Sequence, residues 1–299
     1  MSVGTPVSTR PAGIHHEARV HPSAIIEGDV SVGAGTVIGP GCMVLGTVGP
    51  VRIGSGCTLI ARAIVNGPIT IGDGNTVYPN ACLGFAPQDL GFDPNSPGPG
   101  CVIGHRNTFR EGVTVHRGKT AQPTRIGDSN YWMTNTHLGH DGVVANGCII
   151  GSGAVLGGHV VVDDKVIIGG CAAVHQFARL GHHSFVSGLA GTIKDLPPWF
   201  VCTAVNVAGS INVVGLRRSG ATPATISAVR WVYRTLYRSG GTPQQALAEL
   251  ETRASDPVVA EYVQFVRSSK RGICHGSGRA TRGMAARAAK GESETEGAG

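Results

Sequence analysis

Aromatic residues are scarce in this chain: 3 Trp, 5 Tyr and 7 Phe among 299 residues. That excludes an ordinary core packed around large rings. No Cys-x-x-Cys pair occurs among the eight cysteines, which removes the commonest zinc and redox spacings. No apolar run reaches the length of a membrane span, and the first twenty residues hold Arg10, Arg19 and two prolines in place of a secretory core. No motif mixes aromatic and basic residues as nucleic-acid binders do, and a net charge of +6 is modest. A soluble, cytoplasmic protein in a reducing compartment is expected, without a membrane span and without nucleic acid as a partner.

Glycine is what the chain has in abundance, at 46 residues, and it accompanies a strict period. From Ile126 to Gly191 the sequence divides into consecutive hexads whose first residues are Ile126, Trp132, Leu138, Val144, Ile150, Leu156, Val162, Ile168, Val174, Leu180 and Val186. The fifth place is usually small or slim, as at Thr136, Cys148, Ala154, Val160, Val166 and Ala172. A hexad period specifies a left-handed parallel β-helix, in which three short strands make one coil and each coil stacks on the last. Cys42, Cys57 and Cys148 occupy the small inward place, so they are read as buried thiols.

Hexads 18 residues apart share a face, with backbones about 4.8 Å apart. Those starting at Leu138, Leu156 and Val174 carry His140, His159 and His175, and the hexad at Val115 carries His116. His137 adds a fifth imidazole. Aliphatic side chains fill the interior, so most of these rings are expected to face outward. A solvated surface is the plain reading; five histidines on one face favour a site, since a neutral imidazole near pH 7 can accept a proton, donate one or hold a metal.

Along the chain, residues 1–19 read as irregular and the β-helix as 20–200. A break at 89–102 contains Asp93-Pro94-Asn95 and Pro97-Gly98-Pro99, and it predicts a functional flap. A second, five-residue insert is placed at Ala121 to Arg125. Asp195-Leu196-Pro197-Pro198 ends the coils, because consecutive prolines remove ladder donors. The period then changes to helical over 201–272. Thr222-Pro223, Thr242-Pro243 and Asp256-Pro257 each start a helix, giving a small C-terminal α-helical cap. Arg230, Arg234 and Arg238 form one basic stripe, with Arg267, Lys270 and Arg271 further on. From 273 to 299 the composition predicts a disordered tail.

Three runs, HRNTFREGVTVHRG (105–118), NTHLGHDGVV (135–144) and GGHVVVDDKVIIGGCAAVHQF (157–177), resemble the bacterial UDP-N-acetylglucosamine O-acyltransferases that begin lipid A synthesis. So do PQDL at 87–90, DLPPWF at 195–200 and the YRSG of the first cap helix. The resemblance covers about Ile14 to Gly272. It implies a homotrimer with active sites between neighbouring β-helices, and transfer of a 3-hydroxyacyl group from acyl carrier protein to the sugar 3-hydroxyl. No cofactor or metal is implied. By position, His140 matches the general base, Asp141 the residue that orients it, and Gly158 the backbone N–H that faces the oxyanion. His137, His159, His175 and Gln176 match residues lining the cleft, and Gln88 and Asp89 match those reaching the sugar from the flap. Asn212 and Arg218 match nucleotide contacts, and Gly188 the residue that sets acyl-pocket depth, where glycine suits a longer chain.

Three positions depart from the family. Gly91 replaces a lysine after PQDL, Val214 a glutamate and Ser219 an arginine. All lie toward the acceptor, which leaves a paralogue with another nucleotide-sugar acceptor as the alternative. A sister enzyme acylating an amino group usually carries an extra N-terminal domain. A trimeric β-helix zinc carbonic anhydrase would space the pair His137 and His140 more widely. A non-enzymatic scaffold leaves His140, Asp141, Gly158 and the flap motif unexplained.

Overall fold

The computed structural model describes residues 13–277. The chain forms two compact units, Met1–Gly142 and Val143–Gly299. The fold is mainly β, a left-handed parallel β-helix with short helices near the C-terminal end.

In the first unit, short strands stack in register along three faces. Thr58–Leu59 pairs in parallel with Thr76–Val77, 18 residues on, as one coil requires. The next partners are Thr108–Phe109 and Tyr131–Trp132. Their larger offsets in sequence are the two excursions, the flap and the short insert. The insert nevertheless contributes to a strand: Thr124–Ile126 pairs with Cys101–Ile103, and Thr124 is fully buried. Thr124 thus fills the small inward place ahead of Ile126, and only Ala121–Pro123 stays irregular. Pairing also starts earlier than Val20, since Ile14 bridges Val32 and Ala18 is buried. The early coils have longer strands, Ile25–Val32 against Met43–Ile53, with a register shift between Gly28 and Val30.

The interior is the one the hexads specify. All eleven first-place residues from Ile126 to Val186 are buried, at 3% exposure or less, and so are the fifth-place residues from Thr136 to Ala172. Cys42, Cys57 and Cys148 are buried free thiols. In the first unit the fifth place also stacks three buried asparagines. Asn107 donates its backbone and side-chain N–H to Asn75 Oδ1 at 2.8 and 3.0 Å, and Asn130 N–H donates to Asn107 Oδ1 at 2.9 Å. Every amide in the row meets a partner, which is what makes a polar row tolerable inside.

The corners explain the rest of the hexad. The fourth residue turns with positive φ throughout: Ser129, Asn135, Asp141, Gly147, Gly153, His159, Lys165, Cys171, Phe177, His183 and Leu189. Nine of these eleven are not glycine, so the coil hydrogen bonds hold side-chain-bearing residues in a conformation they ordinarily avoid.

In the second unit the coil offset returns to 18, as Val143 pairs with Val161, Val161 with Arg179, Ile149 with Ile167 and Val155 with Ala173. Phe200–Ala204 then runs antiparallel to Val207–Ile211, which ends the coiling. Among the described residues four helices follow: α1 (Val213–Arg218), α2 (Pro223–Arg238), α3 (Pro243–Glu251) and α4 (Pro257–Arg267). Thr222, Thr242 and Asp256 cap α2, α3 and α4, each followed by its proline at the first helical position. α1 was not predicted; Asn212 caps it. Arg230, Arg234 and Arg238 line the exposed side of α2, whereas Val229, Val232 and Tyr233 are buried. The segment expected to be disordered from residue 273 begins packed: His275–Gly276 pairs with Val207–Ala208, and Cys274 is fully buried. Residues 278–299, like residues 1–12, lie outside the described residues.

Candidate active site

In the first unit the structure brings His140, Asp141, His137, His116 and Asp89 together. Asp141 sits at a coil corner with φ of 57°. Its backbone N–H donates to Thr124 Oγ1 at 2.8 Å, and its carboxylate turns back toward the preceding residue. His140 Nδ1 lies 2.6 Å from Asp141 Oδ2. The opposite oxygen, Oδ1, accepts from Thr120 Oγ1 at 2.6 Å and from the Thr120 N–H at 2.9 Å. The Lys119 N–H adds contacts of 3.2 and 3.1 Å to the two oxygens. Burial by itself would raise the Asp141 carboxyl. The hydrogen bonds from Thr120, His140 and the Lys119 backbone outweigh it and hold the carboxyl below its usual range.

An acceptor-only carboxylate at Nδ1 selects the tautomer with its proton there and makes Nε2 the basic nitrogen of His140. The pair therefore has the form of an oriented general base.

The neighbouring rings are kept neutral. His137 shares a 2.8 Å hydrogen bond between Nδ1 and Thr114 Oγ1, and burial followed by the nearby His140 lowers its affinity for a proton. His116, one of five rings of which most were expected to face outward, is buried: it is 8% exposed and meets His137 edge to face with ring centroids 4.9 Å apart. It follows Val115 in a strand whose register shifts there. Burial, then the charges of His137, His140 and Arg117, push His116 down to about 4.

The flap is anchored along its length. Arg117, fully buried, donates through Nη2 to the carbonyls of Pro94 and Ser96, both at 2.8 Å, and through Nη1 to Gly84 at 3.2 Å. Its guanidinium lies 5.6 Å from the Phe92 ring centre. Gln88 is exposed at the flap base. Asp89 accepts from Lys119 Nζ at 2.6 Å and from the Gly91 N–H at 2.8 Å. Those two bonds, Lys119 first, hold its carboxyl below the usual range.

The other candidate residues lie in the second unit. His159 turns a corner with φ of 59° and stacks on Phe177 with ring centroids 4.4 Å apart and planes 8° from parallel. The Gly158 carbonyl accepts from the Phe177 N–H at 3.1 Å. His175 and Gln176 are exposed, and His175 Nδ1 sits 3.1 Å from the Gln176 carbonyl. Gly188 is exposed, with the Gly170 backbone the nearest obstacle to an added Cβ at 3.4 Å. Asn212 is used at both ends of its amide: Oδ1 accepts from the Gly215 N–H at 2.8 Å and Nδ2 donates to the His183 carbonyl at 2.9 Å. Arg218 is exposed in the last turn of α1. Of the departures, Val214 is 57% exposed, and Ser219 closes α1 with Oγ on the Leu216 carbonyl at 2.8 Å.

Lys119, Thr120 and Arg117 belong to the site and were not singled out. The run HRGKT holds all three, but nothing in their spacing marks them, because their partners are 21 to 33 residues away.

Comparison with known proteins addresses the family and the fold. Residues 195–274 match the family model of UDP-N-acetylglucosamine O-acyltransferase domain 2. The UDP-N-acetylglucosamine acyltransferase of Francisella novicida is 32% identical, with a TM-score of 0.77 over 88% of this chain and 94% of its own. That of Campylobacter jejuni is 29% identical, with a TM-score of 0.79 over 86% of this chain and 99% of its own. The UDP-N-acetylglucosamine acyltransferase of Arabidopsis is 28% identical, with a TM-score of 0.69 over 87% of this chain and 99% of its own. Likeness at this identity across both units, helices included, is more than a shared hexad repeat can produce, and the chain belongs to the UDP-N-acetylglucosamine acyltransferase family.

Proposed function

We propose that this chain transfers a 3-hydroxyacyl group from the thioester of acyl carrier protein to the 3-hydroxyl of UDP-N-acetylglucosamine, the opening step of lipid A synthesis, with His140 as general base. The observation that carries the reading is the His140–Asp141 pair, 2.6 Å apart and held from behind by Thr120 and the Lys119 backbone. A sugar hydroxyl attacks a thioester only as its proton leaves, and Nε2 of an imidazole fixed in this tautomer accepts it. The resulting imidazolium is stabilised by the Asp141 carboxylate. The proton then passes to the departing thiolate of the carrier, so the step balances without a cofactor or metal.

His137 stays neutral beside the base and acts as a hydrogen-bonding partner. The Gly158 N–H receives the oxyanion. His159, His175 and Gln176 line the cleft, Gln88 and Asp89 hold the sugar, Asn212 and Arg218 face the nucleotide, and Gly188 leaves room for a long acyl chain. The exposed arginines of α2 suit an acidic carrier protein. Exposed Val143, Ile149, Val155 and Ile167 on the second unit support association of copies into a homotrimer.

Acyl transfer from 3-hydroxyacyl carrier protein to UDP-N-acetylglucosamine by the purified chain tests the reaction, and His140→Ala tests the base. Turnover is expected to fall by roughly 10² to 10⁴ with the fold intact. Unchanged turnover in the variant removes His140 from the mechanism. Wild-type hydrolysis of the thioester with UDP-N-acetylglucosamine left unmodified places the acceptor elsewhere.

A further inference from the structure

Residues Arg117 to Thr120 contact the flap and the catalytic pair within four positions. Arg117 and the Gly118 N–H hold the far part of the flap, the latter through the Gly100 carbonyl at 2.8 Å. Lys119 divides between the two sites. Its backbone N–H donates to the Asp141 carboxylate, whereas its Nζ reaches Asp89 Oδ2 at 2.6 Å. Gly91, next but one to Asp89, contributes only a backbone N–H. The cation beside Asp89 therefore comes from a different strand turn, thirty residues along the chain.

We propose that Lys119 is a positioning residue for the acceptor sugar: its ammonium clamps Asp89, and with it the base of the flap, onto the segment that supports the His140–Asp141 pair. The inference rests on the function proposed above, in which Asp89 and Gln88 hold the sugar. An ion pair whose two side chains are 33% and 31% exposed adds little to global stability. Its effect is local, since it selects one position of a carboxylate at the near end of a loop whose other anchors, Phe92 against Arg117 and the carbonyls of Pro94, Ser96 and Gly100, lie further along. A sugar held by that carboxylate is presented to His140 at one distance only while the clamp is closed.

The geometry separates this role from support of the base. Replacing the Lys119 side chain removes the clamp and leaves the backbone N–H on Asp141. Lys119→Met is expected to raise KM for UDP-N-acetylglucosamine five- to tenfold, with kcat within a factor of two to three, the same kcat–pH profile and an unchanged KM for the acyl carrier. Lys119→Arg, which keeps the charge and the reach, restores most of the loss. An equal fall in kcat and kcat/KM in the Met variant, or an unchanged KM for the sugar, overturns the proposal.

Hydrogen exchange reads the clamp without activity. Amides of residues 88–93 are expected to exchange several-fold faster in Lys119→Met and in Asp89→Asn, and no faster still in the double variant. Equal protection in all four proteins overturns the clamp. If the wild-type chain fails to acylate UDP-N-acetylglucosamine, the proposed function falls and with it the sugar-positioning role, while the exchange comparison separately decides whether the clamp exists.

Discussion

His140 and Asp141 are adjacent in sequence, yet adjacency alone does not bring an imidazole onto the following carboxylate. The corner does so: Asp141 takes φ of 57° and folds its side chain back against His140. The buried carboxylate then serves three neighbours, His140, Thr120 and Lys119. Asp141→Asn keeps the size and changes the donor count, because an amide has one acceptor oxygen and must set its NH₂ against either the His140 N–H or the Thr120 and Lys119 donors. With the amide NH₂ facing His140, the opposite tautomer is favoured and Nε2 carries the proton. Turnover is expected to fall about a hundredfold or more, with about 1–3 kcal/mol of stability lost to the unmatched donors. Steady-state kinetics and urea unfolding check the two effects together.

Among the elements, the hexad coils and the helices were readable to different depths. Inward positions follow from period alone, and the burial of every first-place residue bears that out. α2, α3 and α4 start where a capping residue precedes proline. α1 escaped because it is six residues long, contains Gly215 and lacks the proline. Corner conformations were not legible either, since Lys165 and Cys171 carry no sign of positive φ, while the register of the coils imposes it. That gives a test of the corners. Lys165 is exposed with φ of 56°, so Lys165→Val, β-branched at a left-handed position, is expected to cost about 1–3 kcal/mol. Lys165→Asn, which tolerates that region, is expected to stay within about 0.5 kcal/mol of the wild type. The urea midpoints of the two variants decide it.

For the whole molecule, two histidines in different units tie stability to pH. His116 and His183 are each pushed down to about 4, burial being the leading cause in both. Below about pH 6.5 the unfolded chain protonates these rings and the folded chain does not. The unfolded state then binds more protons, so stability is full above pH 7 and declines as pH falls from about 6.5 to 4. After allowance for solvent screening, each ring accounts for about 1–2 kcal/mol over that range. Asp163, whose carboxyl burial raises, opposes the trend at the lower end. Urea midpoints measured from pH 7.5 to 4.5 are expected to fall, and His116→Gln is expected to flatten the slope. A slope unchanged in that variant removes His116 as a source.

The sequence by itself determined the coil period, the inward residues, the exit at Pro197-Pro198, three of four helix starts and the adjacency of His140 and Asp141. These are local: they depend on which residues repeat at six, or which precede a proline, and short-range sterics and burial translate them directly. Only the tertiary structure decided that His116 is buried, that Thr124 joins a strand, that Arg117 fastens the flap and that Lys119 reaches Asp89. Each depends on where an excursion of the chain lands and on how far a long side chain extends, and a repeat carries no record of either. Of the candidate site, the pair His140 and Asp141 was legible in the sequence, and the residues that hold the two in place were not.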